Sequence, residues 1–166
     1  MYFWRTYHHP LIGDLFFIGT ESGLTGIFLG EELFTKAKTK FSPEYKKEHG
    51  LFDHLNDALE RYFAGEDIRF DVPLQIEGTL FQKAVWEYMR IIPYGETRSY
   101  SEAAIAIGRP KAVRAVGQAS RVNPFPIIIP CHRLIGKNGS LTGYAGSKTD
   151  LKRNLLHLES TSGLLF

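Results

Sequence analysis

Residues 123–135, Asn-Pro-Phe-Pro-Ile-Ile-Ile-Pro-Cys-His-Arg-Leu-Ile, constrain this chain more than any other stretch. Pro124, Pro126 and Pro130 fix three φ angles within seven residues and remove three backbone donors, while Ile127, Ile128 and Ile129 call for burial. A stiff apolar segment of this kind belongs in a core, and it delivers Cys131, His132 and Arg133 at its end, where a rigid wall can hold a reactive atom. Cys131 is the only cysteine of the 166 residues, so an internal disulfide and a cysteine-built zinc site are both excluded. It is either an inert core residue or a reactive thiol. A free thiol, with a pKa of roughly 8.5, becomes nucleophilic when a nearby base or positive charge favours the thiolate. His132 and Arg133 are both candidates for that work.

The rest of the chain divides in two. Residues 1–92 hold 10 Lys and Arg against 14 Asp and Glu, a net of −4; residues 93–166 hold 10 against 4, a net of +6. Opposite signs on the two parts suggest that the C-terminal one meets a polyanion. Apolar runs at Met1–Tyr7, Leu15–Thr20 and Leu24–Leu29, the last two separated by Glu21-Ser22-Gly23, read as an antiparallel sheet with a tight hairpin. The charged stretch Lys36–Lys47 reads as a loop or frayed helix. Leu51, Leu55, Leu59 and Tyr62 recur at helical spacing up to Gly65, and Asp67–Glu77 is extended. The predicted fold is α+β: a small N-terminal antiparallel sheet-plus-helix domain over 1–77, then a mostly helical domain over 78–166 with a winged-helix-like helix-turn-helix. No leader of basic then apolar residues and no run of eighteen apolar residues is present, so the expectation is a soluble, cytoplasmic protein, nuclear in a eukaryote.

Within the second domain, Thr79 and Gln82 have the spacing of a capping box ahead of Phe81, Val85, Trp86 and Met89, and Pro93 ends that helix. Ser99 and Glu102 offer a second capping box before Ala103–Ile107; Gly108 stops the helix and Pro110 stands where the next, Lys111–Ser120, would begin. A helix pair of this kind resembles a helix-turn-helix, whose second helix faces DNA. Lys111, Arg114 and Arg121 sit there among Ala112, Ala115, Gly117 and Ala119. Small residues let a helix approach a groove, although they equally permit tight packing against another helix.

From Phe81 to about Glu159 the chain resembles the O6-alkylguanine-DNA alkyltransferases. The likeness runs through Pro93-Tyr94-Gly95-Glu96, Ser99-Tyr100, Arg114-Ala115-Val116-Gly117, Asn123-Pro-x-Pro, Pro130-Cys131-His132-Arg133 and Gly143-Tyr144-Ala145-Gly146. It implies direct, single-turnover repair, in which Cys131 accepts the alkyl group from O6 of guanine. His132 is then the base acting through a water, Glu159 orients it, Tyr100 donates a proton to the departing base, and Asn123 is a structural strut. Arg114 is the finger that replaces the flipped base from the minor groove. Thr97, Ser99, Lys111, Ala112, Ala115, Gly117 and Arg121 contact DNA, and Pro126, Tyr144, Ala145 and Gly146 line the base pocket. The implied partner is double-stranded DNA containing O6-alkylguanine, bound by a monomer; no metal and no cofactor are implied, and O4-alkylthymine and bulky alkyl groups stay open as substrates. Ser147 stands where many relatives have glycine and Ala145 where some have serine, which bears on substrate breadth. Two other classes compete: recognition of alkylated DNA without repair, and a cysteine hydrolase using Cys131 and His132. The first lacks the acceptor cysteine in its known members, and the second leaves Arg114 and the helix pair unexplained.

Overall fold

The structure, a computed structural model, describes residues 1–137 and 149–161. Their contacts gather into two compact units, Met1–Ile76 and Glu77–Phe166. Among the described residues no helix is long and apolar enough to cross a membrane.

In the first unit β1 (Phe3–His9), β2 (Gly13–Thr20) and β3 (Gly23–Leu29) form an antiparallel meander, and a short β4 (Glu44–Tyr45) joins β1 in parallel. The sheet order is β3-β2-β1-β4. Both faces are covered, which is why β2 carries the uninterrupted run Leu15-Phe16-Phe17-Ile18. Trp4, Phe16, Ile18 and Phe28 pack with Phe34 and Ala37 of α1 (Glu31–Phe41). Tyr7 and Phe17 meet Phe63 and Phe52 of α2 (Gly50–Phe63), whose Phe52, Leu55 and Leu59 are fully buried. The outer edge of β3 is paired as well: Leu24 N–H donates to Pro73 O at 2.8 Å and Gln75 N–H to Leu24 O at 2.8 Å.

The segment expected as a loop or frayed helix is different in the structure. Its first half belongs to the three-turn helix α1, which starts at Glu31. Only Phe34 and Ala37 are buried on it, a stripe too narrow to stand out among the surrounding charges. Glu31 and Glu32 in its first turn and Lys38 and Lys40 in its last complement the helix dipole.

The second unit is built from α3 (Leu80–Arg90), α4 (Tyr100–Ala106), α5 (Val113–Arg121) and α6 (Thr149–Thr161). Thr79 and Gln82 form the reciprocal capping box on α3, and Ser99 Oγ accepts from Glu102 N–H at 3.0 Å to cap α4. A two-residue parallel ladder joins β5 (Arg98–Ser99) to β6 (Leu134–Ile135). α4 begins at Tyr100, three residues before the expected start, because its cap is Ser99 itself. α5 begins at Val113, so Pro110 and Lys111 lie in the turn and not in the helix. The Trp86 indole donates to Ala119 O at 2.9 Å and fastens α5 to α3.

Between α4 and α5 the chain makes a Schellman turn: Gly108 N–H reaches Ile105 O at 3.0 Å and Arg109 N–H reaches Ala104 O at 2.8 Å, with Gly108 at φ +79°. A side chain there would meet nothing within 4 Å, so the demand for glycine comes from the backbone alone. Gly117 is the opposite case, mid-helix in α5 with open space around its Cα. Gly108→Ala should cost about 1 kcal/mol in a urea unfolding measurement, and Gly117→Ala should gain up to about 1 kcal/mol. Equal effects of the two substitutions would contradict this assignment.

Candidate active site around Cys131

The proline-isoleucine segment reaches the site through hydrogen bonds close in sequence. Asn123 Oδ1 accepts from Phe125 N–H at 2.9 Å and its Nδ2 donates to Ile129 O at 2.8 Å, so one side chain braces both ends of the loop. Ile129 N–H returns to Phe125 O at 2.8 Å. Ile127, buried between them, is held at φ +76°, a conformation that costs a β-branched residue about 1–3 kcal/mol. Pro130 (φ −78°, ψ 69°) makes an inverse γ-turn closed by Cys131 N–H to Ile129 O at 2.7 Å, and Cys131–Arg133 form a single 3-10 turn. The segment is thus wound tightly and not extended.

His132 and Glu159 are both fully buried, and His132 Nε2 lies 2.6 Å from Glu159 Oε2. Arg133 grips the same carboxylate in a fork, Nε to Oε1 at 2.9 Å and Nη2 to Oε2 at 3.1 Å, and its Nη1 donates to Ile92 O at 2.7 Å. Gly95 N–H adds a donor to Oε1 at 3.3 Å, presented by a turn in which Glu96 N–H returns to Pro93 O and Gly95 has φ +79°. Burial works against ionisation of Glu159, but His132 and the Arg133 fork outweigh it and hold the carboxyl well below the usual range. Burial lowers the His132 pKa despite the pull of Glu159, so the imidazole is neutral. An ionised carboxylate only accepts; Nε2 therefore carries the proton and Nδ1 is the basic nitrogen.

Cys131 is 3 % exposed, and burial pushes its thiol up to about 11. A hydrogen bond from Asn123 and the charge of Lys152 act in the other direction and do not overcome it. The resting residue is a thiol. Arg133 is engaged with Glu159 and is not what pulls on the sulfur. Lys152 was not singled out from the sequence, yet it is 1 % exposed, donates from Nζ to Tyr100 Oη at 3.3 Å and lies over the Tyr100 ring, 5.6 Å from its centre. Burial lowers its pKa to about 8, opposed by Cys131. The buried face of α6 explains the omission. It consists of Lys152, Leu155, Leu156 and Glu159. The 152/155/156/159 spacing is helical, and two charged residues on an apolar stripe are the signal that could have revealed it.

The structure therefore gathers Cys131, His132, Glu159 and Asn123, and Lys152 connects them to Tyr100 at the start of α4. Pro126 is buried in the loop and bridges to Ile129. Lys111, Arg114, Ala115 and Arg121 are exposed, while Ala112 and Gly117 are half-buried. None of these three cations has an ion-pair partner among the described residues. Thr97 and Ser99 are half-buried ahead of α4. Tyr144, Ala145, Gly146 and Ser147 lie outside the described residues. Among those described, no three His, Cys, Asp or Glu side chains gather as a metal site would require.

Residues 2–76 match the family model described as "6-O-methylguanine DNA methyltransferase, ribonuclease-like domain", and residues 80–161 match the one described as "6-O-methylguanine DNA methyltransferase, DNA binding domain". The constitutive methylated-DNA–protein-cysteine methyltransferase of Bacillus subtilis is 46% identical over 162 residues, 98% of each chain. The crystal structure of a Mycobacterium tuberculosis O6-methylguanine methyltransferase superposes with a TM-score of 0.87 at 45% identity, covering 98% of this chain and 95% of that one. Mycobacterium tuberculosis OGT in complex with DNA gives 0.85 at 44% identity with the same coverage.

Glu159→Gln should destabilise the second unit by about 3–5 kcal/mol, since it leaves the largely shielded Arg133 charge facing a neutral amide. The wild type should be most stable above pH 6.5 and weaken as pH falls below it, because unfolded His132 takes up a proton that the folded one resists; Glu159 adds a further loss once unfolded carboxyls protonate near pH 4. Urea midpoints measured from pH 4 to 8 on both proteins check this. A midpoint insensitive to the substitution would contradict the clamp.

Proposed function

Since the chain belongs to the 6-O-methylguanine DNA methyltransferase family, we propose that it repairs DNA directly, moving the alkyl group from O6 of guanine onto Sγ of Cys131 in one irreversible turnover. The observation that carries this reading is the buried line from Glu159 through His132 to the adjacent Cys131. A thiol with a pKa of about 11 is a poor nucleophile at neutral pH, so its proton must leave as the sulfur attacks. Neutral His132 receives that proton at Nδ1 through a bridging water, and Glu159, already ionised, stabilises the imidazolium that results. The sulfur–carbon bond forms as the carbon–O6 bond breaks, and the electron pair goes to O6 and spreads over the purine. The Tyr100 hydroxyl answers that charge with a hydrogen bond. Lys152 donates to Tyr100 Oη and so holds the phenol oxygen at the start of α4. The product thioether offers water no carbonyl, so Cys131 is spent.

The partner is duplex DNA with the damaged guanine rotated out of the stack, at a cost of a few kcal/mol. Arg114, exposed on α5, fills the space from the minor groove, a cleft only about 6 Å wide. Gly117 supports this geometry. Nothing in the fold crowds its Cα, and a mid-helix glycine forfeits about 1 kcal/mol, which is reasonable where α5 must lie close to a groove. The family resemblance assigns Tyr144, Ala145, Gly146 and Pro126 to contact with the flipped base. The protein acts as a monomer.

Incubation with duplex DNA bearing O6-methylguanine should add one methyl mass per molecule, mapped to Cys131, restore guanine and stop after one turnover; Cys131→Ala should bind without transfer. Binding with no change in mass or base would leave damage recognition alone as the function. Release of product over many turnovers would support a hydrolase.

A further inference from the structure

The net charge of −4 over residues 1–92 conceals a sharp asymmetry. All five lysines of the first unit, Lys36, Lys38, Lys40, Lys46 and Lys47, fall within twelve residues that contain a single acid, Glu44. Outside those twelve, residues 1–76 carry three arginines against eleven Asp and Glu. The five lysines are exposed, and among the described residues none is ion-paired. Two of the arginines are paired, Arg5 with Asp53 and Arg61 with Glu66.

The fold draws Lys38, Lys40 and Lys46 to the start of β1. Lys38 Nζ sits 5.7 Å from the centre of the Trp4 ring, Lys40 Nζ 5.0 Å from that of Phe41, and Lys46 Nζ 4.9 Å from that of Phe3. Phe41 in turn packs on Tyr2 at 4.9 Å, and Lys47 O accepts from Arg5 at 2.8 Å. Tyr45, 55 % exposed, stands edge-on to Trp4 at 5.0 Å. Cations held over rings keep their charge and their remaining donors for a partner. Uncompensated lysines beside an exposed ring are the chemistry that binds phosphates along a nucleic-acid backbone.

We infer that this corner of the N-terminal unit is a second DNA-contacting surface, one that grips backbone phosphates without regard to sequence or damage. It rests on the proposed function in choosing DNA as the polyanion. Its readout does not, since undamaged duplex suffices and no alkyl transfer is needed. The surface adds affinity and salt dependence, and leaves the chemistry at Cys131 unchanged.

The test compares the full chain with Lys36→Gln/Lys40→Gln/Lys46→Gln/Lys47→Gln and with the corresponding four-arginine variant, titrating undamaged duplex at several salt concentrations. The slope of log K against log salt should become shallower by about 0.9 for each phosphate contact removed, a total of roughly 2–4, with at least about a tenfold loss of affinity at low salt. The arginine variant should keep both. With O6-methylguanine duplex the glutamine variant should need more DNA for half-maximal rate and reach the same single-turnover rate at saturation, which shows that it is folded. Unchanged slope and affinity in a variant that saturates at the wild-type rate would overturn the assignment. So would loss of binding to phosphatidylserine vesicles with no loss on DNA.

Discussion

A single buried carboxylate organises the catalytic unit. Glu159 accepts from His132, from two nitrogens of Arg133 and from Gly95 N–H. Those partners come from the 3-10 turn after the cysteine and from the turn after α3, so the carboxylate of α6 ties together three separate stretches of chain. Removing a carboxylate from water is expensive, and it is tolerable only where fixed donors replace the lost hydration. Arg133 supplies the permanent charge. With that charge in place His132 need not be protonated to keep Glu159 ionised, and a histidine free to stay neutral is available as a base.

The state of Cys131 follows from the same arrangement. A thiol shielded from solvent is kept from wasteful oxidation and alkylation, but it must be deprotonated at the moment of use. The site therefore couples attack to proton transfer and does not store a thiolate. Asn123 and Lys152 moderate the effect of burial, and Lys152 also reaches Tyr100, so the attacking and departing ends of the reaction are both within the influence of one buried ammonium. Strain at Ile127 fits this picture, because a loop wound against its own preference is held by packing on every side and cannot easily shift the sulfur.

Much of this was legible in the residues. The capping box at Thr79, the hairpin at Glu21-Ser22 and the helical spacing of Leu51, Leu55 and Leu59 are local signals, and each appears in the fold at its expected place. The Pro-Cys-His-Arg run was enough to point to the sulfur and its neighbour. What escaped depends on distant contacts. Lys152 reads as a solvated helix lysine until α6 is seen to bury it, and Arg133 reads as a helper of the thiol until Glu159 comes within reach from 26 residues away. The lysines between Lys36 and Lys47 obscured α1 because only Phe34 and Ala37 mark its buried side. They also cancelled against scattered acids in the net charge, which is blind to where charges sit.

Proton transfer from Cys131 requires a neutral His132, with its proton on Nε2 facing an ionised Glu159. Nitrogen-15 NMR of the imidazoles, with His132 identified among the six histidines by its loss in His132→Gln, reports both tautomer and charge. The expected result is a neutral ring protonated at Nε2 at pH 7, titrating below the range of a free imidazole. An imidazolium at pH 7, or a proton residing on Nδ1, would contradict it, because neither form could take the proton of Cys131.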